Sequence, residues 1–429
     1  MPDMRTAARL ALLTSGLLLP TACESGGAHP AGPKGREAFA RFVAIGTGLT
    51  TGVQSGGILY AMQAGSWPAL VAQQAGAPFT APLLRAPGCP PPLIAPLQLG
   101  RFLSGTSVMA RDSSCAGTIG SPAPPLNNLA LPGASAWAML TLTPKAIAAA
   151  PARYDVLDRA RYPLTLGSTQ SQVTAMIVER PSFVAVEAGM SEVIGAVTTG
   201  MLVGATSYAQ ATPFTYVPAD IFAPVFAAIA DSVRKTGARA VLLSVPHVTK
   251  LVSLRGGAEL WADRATLATF GVTVAADCNG SANRVFTPSL VPGLVARASA
   301  TLAAQTLSCT DIPGAADAVL TPADVTTLDS VVDQMNAQIR KLADDNGWAF
   351  ADLDAEYSSL FSAHTPYRAA EELSCVYPYG DFVSLDGVHP NSAGHHVIAN
   401  VVSLAVNSTY GLEIPVSTGL PVARTVPCP

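Results

Sequence analysis

The sequence predicts an α/β fold: a three-layer α/β/α sandwich with helices on both faces of a central parallel sheet. Two observations predict it. Short, wholly apolar runs recur along the chain, and amphipathic helical stretches precede the later ones. A strand apolar on both sides belongs in a parallel sheet covered on both faces. The composition agrees, because 429 residues of which 49% are hydrophobic and 13% charged can bury a large core.

The first strand is expected at Phe42-Val43-Ala44-Ile45, a buried run that ends at Gly46. A second is expected at Leu129-Ala130-Leu131 before Pro132-Gly133. A third is expected at Ser182–Val186, a fourth at Ala240–Ser244 and a fifth at Trp348–Leu353. Between Pro218 and Lys235, Phe222, Phe226, Ile229 and Val233 recur at helical spacing, with Gly237 as a stop. Thr321-Pro322 pairs a cap with a first-turn proline. Val325, Leu328, Val332, Met335, Ile339 and Leu342 then form one stripe that ends at Gly347. Residues 169–180 read as a weaker helix. Two insertions, 76–125 and 250–320, interrupt the alternation and are placed to shape or cover a site. There is no internal repeat. Right-handed crossovers would leave few topologies, with sites beyond the carboxyl ends of the strands.

The N-terminus reads as an export signal. Arg5 and Arg9 precede the apolar run from Leu10 to Pro20, which is too short to span a bilayer. Leu19-Pro20-Thr21-Ala22-Cys23 resembles a bacterial lipobox with Cys23 lipidated, although Pro20 stands where that motif usually has leucine. The alternative is an ordinary secretory signal. Residues 24–38, rich in Gly, Ala and Pro, read as a tether, and 39–429 as one domain. An extracytoplasmic chain, anchored at the membrane only through Cys23, follows from this. Of the seven cysteines, six remain after Cys23. An even number in an oxidising compartment suggests disulfides, with buried thiols as the alternative; of fifteen pairings the expected one is the sequential set 89–115, 278–309 and 375–428, each closing a local loop. Their spacing resembles no zinc site. The net charge of −4 gives no reason to expect nucleic acid or an anionic surface as partner. A monomer is expected.

Four blocks in order, from about residue 40 to 400, resemble the SGNH/GDSL hydrolase family. Gly46-Thr47-Gly48-Leu49 stands where that family has Gly-Asp-Ser-Leu, so the nucleophile position falls on Gly48. Asn128 to Ala134 matches the second block, with Gly133 as an oxyanion donor. In Gly189-Met190-Ser191-Glu192, Ser191 stands where the family has asparagine. Asp386 and His389 match the final Asp-x-x-His fully. The resemblance implies flavodoxin-like topology, carboxylester hydrolysis as the ancestral reaction, and no cofactor. The two insertions, rich in proline and apolar residues, suit a lipid-like or acylated-glycan ester as the small-molecule ligand. The oxyanion hole would comprise Gly48, Gly133 and Ser191.

A serine hydroxyl needs a histidine to take its proton and a carboxylate to orient that histidine. Asp386 and His389 supply the second and third parts, and glycine cannot supply the first. Thr47, Thr50, Thr51 or Ser191 are the candidate substitutes, as is water activated by His389. Asp386, His389, His395 and His396 form an alternative metal set, against the simpler reading that His395 and His396 begin a surface helix. His247 reads as a loop histidine without assigned duty. Two functions follow: a weak or unconventional esterase, or a non-catalytic descendant that binds an acylated or glycan ligand in the cell envelope. A hydroxyl within hydrogen-bond reach of the His389 ring would separate them.

Overall fold

A computed structural model of the protein describes residues 33–110, 112–120, 126–361 and 367–418. Four strands form the central sheet: β1 (Phe42–Ile45), β2 (Phe183–Val186), β3 (Arg239–Leu243) and β4 (Ala349–Ala351). They lie side by side in that order and every pair is parallel. Residues 128–131 run along the free edge of β1. Ala44 pairs in parallel with Asn128, and Leu129 and Leu131 donate to the carbonyls of Ala44 and Gly46. The second expected strand is thus a short ladder. Counting it, the order is 2-1-3-4-5, the flavodoxin-like arrangement, whose switch point lies beside the first strand. The strands are apolar throughout because both faces are covered, and all four positions of β1 and of β2 are buried.

The helices that matter here are α1 (Gly48–Thr51), α2 (Trp67–Gln74), α3 (Ala136–Thr141), α4 (Gln172–Val178), α5 (Ala219–Thr236), α6 (Pro322–Asn346) and α7 (Ser392–Tyr410). Helices α2 and α7 pack together on one face of the sheet, and α3 to α6 form the other layer. The sequence signals act locally as expected. Thr321 Oγ1 accepts from Asp324 N–H while the Asp324 carboxylate accepts from Thr321 N–H, which closes a capping box ahead of Pro322. Gly237 and Gly347 end α5 and α6 in the left-handed conformation. Phe222, Phe226, Ile229 and Val233 are all buried, as are Leu328, Val332, Met335 and Ile339.

The insertion at 76–125 is mostly irregular and is pinned by Cys89–Cys115. The one at 250–320 folds further. Leu254–Gly256, Arg284–Phe286 and Val319–Leu320 make a three-stranded antiparallel sheet. Leu260, Leu267, Val285, Val291 and Val295 form a core of their own beneath it, closed by Cys278–Cys309. Cys375 is disulfide-bonded, while Cys428, its expected partner, lies outside the described residues, as do Cys23 and the expected signal. Among the described residues, no helix is long and apolar enough to cross a membrane.

Replacing Thr321 with alanine removes one half of the capping box at α6. Urea denaturation is expected to show a loss of about 1 kcal/mol, with an unchanged m-value because the same surface is exposed on unfolding.

Candidate active site

Two loops meet beyond the carboxyl ends of the strands. The first follows β1. Its opening residue is clamped by Gln172 of α4, whose Oε1 accepts from Gly46 N–H (2.9 Å) and whose Nε2 donates to Gly46 O (3.1 Å). Glu187, directly after β2, then collects the donors of the turn. Thr47 N–H donates to its carboxylate at 2.9 Å, Thr47 Oγ1 at 2.8 Å and Thr50 Oγ1 at 3.0 Å. A Cβ at Gly46 would lie 2.9 Å from Glu187 Oε2, so only glycine lets the carboxylate come so close. Burial pushes the Glu187 pKa up, against the lowering effect of these bonds and of the nearby His389 charge.

The second loop carries Asp386 and His389. Ser384 N–H donates to His389 O, Gly387 N–H donates to Ser384 O, and Val383 pairs with Pro390 across the loop. Gly387 has φ +70°, and a Cβ there would strike Ser253 at 2.5 Å, so the turn needs glycine and rests on the second insertion. Asp386 Oδ2 faces His389 Nδ1 at 2.9 Å and accepts from Gly56 N–H at 2.5 Å. Its Oδ1 accepts from the N–H groups of Val388 and His389 and from Ser384 Oγ. The dyad of the sequence reading is therefore assembled and oriented. Burial opposes charge on both members. Even so, the Asp386 charge and hydrogen bond, with help from Glu187, hold the His389 pKa above its ordinary value, while His389 and the two backbone donors hold Asp386 below its own.

The opposite edge of the ring is directed at a glycine. A Cβ at Gly48 would lie 2.6 Å from His389 Nε2 and 3.3 Å from Val53 Cγ2. The ring edge thus occupies the space a side chain at 48 would use. Among the described residues, no hydroxyl hydrogen-bonds Nε2. Thr47 and Thr50 donate to Glu187, and Thr51 Oγ1 donates to Thr47 O at 2.6 Å. Met190 lines the space around His389, but its neighbour Ser191 does not. Gly133, exposed at φ +75°, does not line it either.

Two expectations need correction. His395 does not start a surface helix: it lies inside α7, fully buried, with Nδ1 accepting from Trp67 N–H, and burial drops its pKa to about 3. His396 beside it is half-buried. Among the described residues, Asp386, His389, His395 and His396 bring no three ligand atoms together. His247 has a duty. Its Nδ1 faces Asp354 (2.8 Å) and its Nε2 faces Asp333 (2.9 Å), tying the end of β3 to the segment after β4 and to α6.

A cleft of about 580 Å³ opens at the dyad. Both insertions wall it, Leu93, Leu97 and Phe102 from the first and Phe286, Pro288 and Pro292 from the second, with Asp386 and His389 at its base. Glu187 is the residue that sequence reasoning overlooked. Its signal was present, a lone charge ending the apolar run Phe183–Val186 at the switch point.

No protein-family model matches the chain, and no curated protein matches it. Solved structures are similar to it over most of their length. A structure described as a GDSL-like lipase from Parabacteroides merdae is 12% identical, with 85% of this chain and 94% of that one covered at a TM-score of 0.34. The acetylxylan esterase Axe2 from Geobacillus stearothermophilus is 10% identical, with 85% and 93% covered at 0.36. The acetyl xylan esterase AlAXEase is 13% identical, with 85% and 98% covered at 0.32.

Two measurements follow. In Glu187→Gln an amide NH₂ meets donors, so a loss of about 1–3 kcal/mol is expected in chemical denaturation at neutral pH. NMR titration of the His389 ring should give a midpoint above the ordinary value of about 6.5, falling in Asp386→Asn. Because the folded-state pKa is raised, the stabilisation from His389 is complete below the unfolded value and lost as pH rises through the folded one.

Proposed function

We propose that this protein keeps an SGNH-type ester-hydrolase scaffold but binds an acyl-bearing ligand instead of cleaving it. The observation that carries the reading is that His389 Nε2 stands where a side chain at position 48 would begin, with only glycine there. A base that has an orienting carboxylate but no hydroxyl to deprotonate lacks the first step of acyl transfer. The three neighbouring threonine hydroxyls are engaged elsewhere. The oxyanion positions implied by the resemblance are weakened too, because Ser191 has a shorter arm than asparagine, and losing one such donor costs on the order of 10²–10³ in turnover.

The apolar cleft supports the choice of ligand. Its walls suit an acyl chain, and the half-buried dyad at its base can hydrogen-bond a carbonyl or hydroxyl. A lipid or an acylated glycan of the cell envelope has both parts, and the export signal and lipobox would place the protein there. The competing reading, favoured by the intact Asp386–His389 bond, is a weak esterase in which His389 activates water directly.

Hydrolysis of short-chain nitrophenyl esters by the parent and by His389→Ala separates the two. Equal, background-level rates are expected. A parent rate about 100-fold or more above that of His389→Ala would overturn the binding reading in favour of catalysis. In Gly48→Ser the end of the His389 side chain must shift to admit the new Cβ, and turnover by this variant beside a silent parent supports a site that lacks only its hydroxyl. Binding is read independently by calorimetry with a mid-chain acyl amide, which Phe286→Asp in the cleft wall should abolish.

A further inference from the structure

The opposite end of the sheet, at the amino ends of the strands, is basic. Arg41 precedes β1, Arg180 lies just before β2, Lys235 is in the last turn of α5, and Arg239 opens β3. All four are exposed and line two adjoining hollows that share Arg41, Pro181 and Thr236. Glu37 is the one acid in either lining. Arg41 Nε donates to Arg180 O, a backbone carbonyl, and Arg239 lies over the Tyr410 ring at 5.4 Å, so neither guanidinium is neutralised by these contacts. Asp231 pairs with Lys235 and Arg234 from the adjacent turn. Beside the arginines, Ile177 and Val178 at the end of α4 are 43% and 62% exposed. Positive charge rimmed with exposed aliphatic side chains is the composition of a surface that meets lipid headgroups. The whole-chain charge of −4, which gave no reason to expect an anionic surface as partner, averages over this excess.

The path of the chain points the same way. The short helix Pro33–Ala38 leads through Arg41 into β1, so the N-terminal segment enters the domain at this basic end. Nine residues separate Cys23 from Pro33, and even fully extended they reach no farther than about 35 Å. A lipid on Cys23 would hold this end near the bilayer.

We infer that the amino-end face of the sheet, built on Arg41, Arg180, Lys235 and Arg239, docks on an anionic phospholipid surface. The inference takes its orientation from the lipobox reading. The cleft at His389, at the carboxyl ends of the strands, then opens away from the bilayer and takes its ligand from the aqueous side.

The test uses the full chain carrying Cys23→Ser, so that no lipid is attached and the result does not depend on lipidation. Partitioning onto vesicles of equal phosphatidylglycerol and phosphatidylcholine is compared with pure phosphatidylcholine, which reports the contribution of the apolar N-terminal run. Arg180→Ala/Arg239→Ala is expected to weaken partitioning onto the anionic vesicles by roughly 30-fold and to leave the neutral vesicles unchanged. High salt should erase the difference. Arg41→Ala/Lys235→Ala is made alongside, and whichever pair keeps the parent's Tm is scored. Equal partitioning of parent and variant overturns the inference, as does an equal loss in the remote control Arg153→Ala/Arg159→Ala. Mass spectrometry of the exported chain tests lipidation at Cys23 separately, so failure of the anchor and failure of the docking face are distinct results.

Discussion

The site depends on one buried carboxylate. Glu187 ends β2 at the switch point of the sheet and gathers the amide and hydroxyl of Thr47 and the hydroxyl of Thr50. A turn at the end of a buried strand has backbone donors with no strand partner, and leaving them unpaired in a dry interior is costly. Glu187 satisfies them together. It also fixes how close the turn can sit to the sheet, because Gly46 must remain without a side chain to make room. With Gln172 holding the Gly46 peptide from the other side, the segment leading to Gly48 has little freedom left.

That arrangement has a chemical consequence. Two of the hydroxyls close to Gly48 in the chain, those of Thr47 and Thr50, are engaged by the carboxylate. A threonine that donates its proton to a buried carboxylate has none to offer His389. The same carboxylate adds to the field that favours charge on the imidazole ring. Glu187 thereby acts with Asp386 to raise the His389 pKa against the effect of burial.

The two insertions supply what the sheet lacks. The common α/β layers bring Gly48, Glu187, Asp386 and His389 to one end, but they form no deep cleft by themselves. The first insertion contributes irregular apolar loops that a disulfide holds in place. The second contributes a sheet and core of its own, and Ser253 and Pro288 of that unit abut the turn at Gly387. The dyad is thus held partly by a unit that also forms a wall of the cleft, so the shape of the cleft and the aim of His389 are mechanically linked.

The sequence by itself determined the layers and the dyad. Apolar runs of four residues, helical stripes and local caps act over short spans, and Asp386 and His389 are three residues apart, so a single turn brings them together. It also determined that position 48 carries no hydroxyl, since glycine has no side chain. Only the tertiary structure decided which hydroxyls remain available to the ring. Thr47 and Glu187 are 140 residues apart and meet because β1 and β2 are neighbours in the sheet, a pairing that no local pattern encodes. Burial of His395 against Trp67 and the bridging role of His247 were hidden for the same reason. A histidine's environment is set by elements distant in sequence, and neither the helix around the one nor the loop around the other records what packs against it.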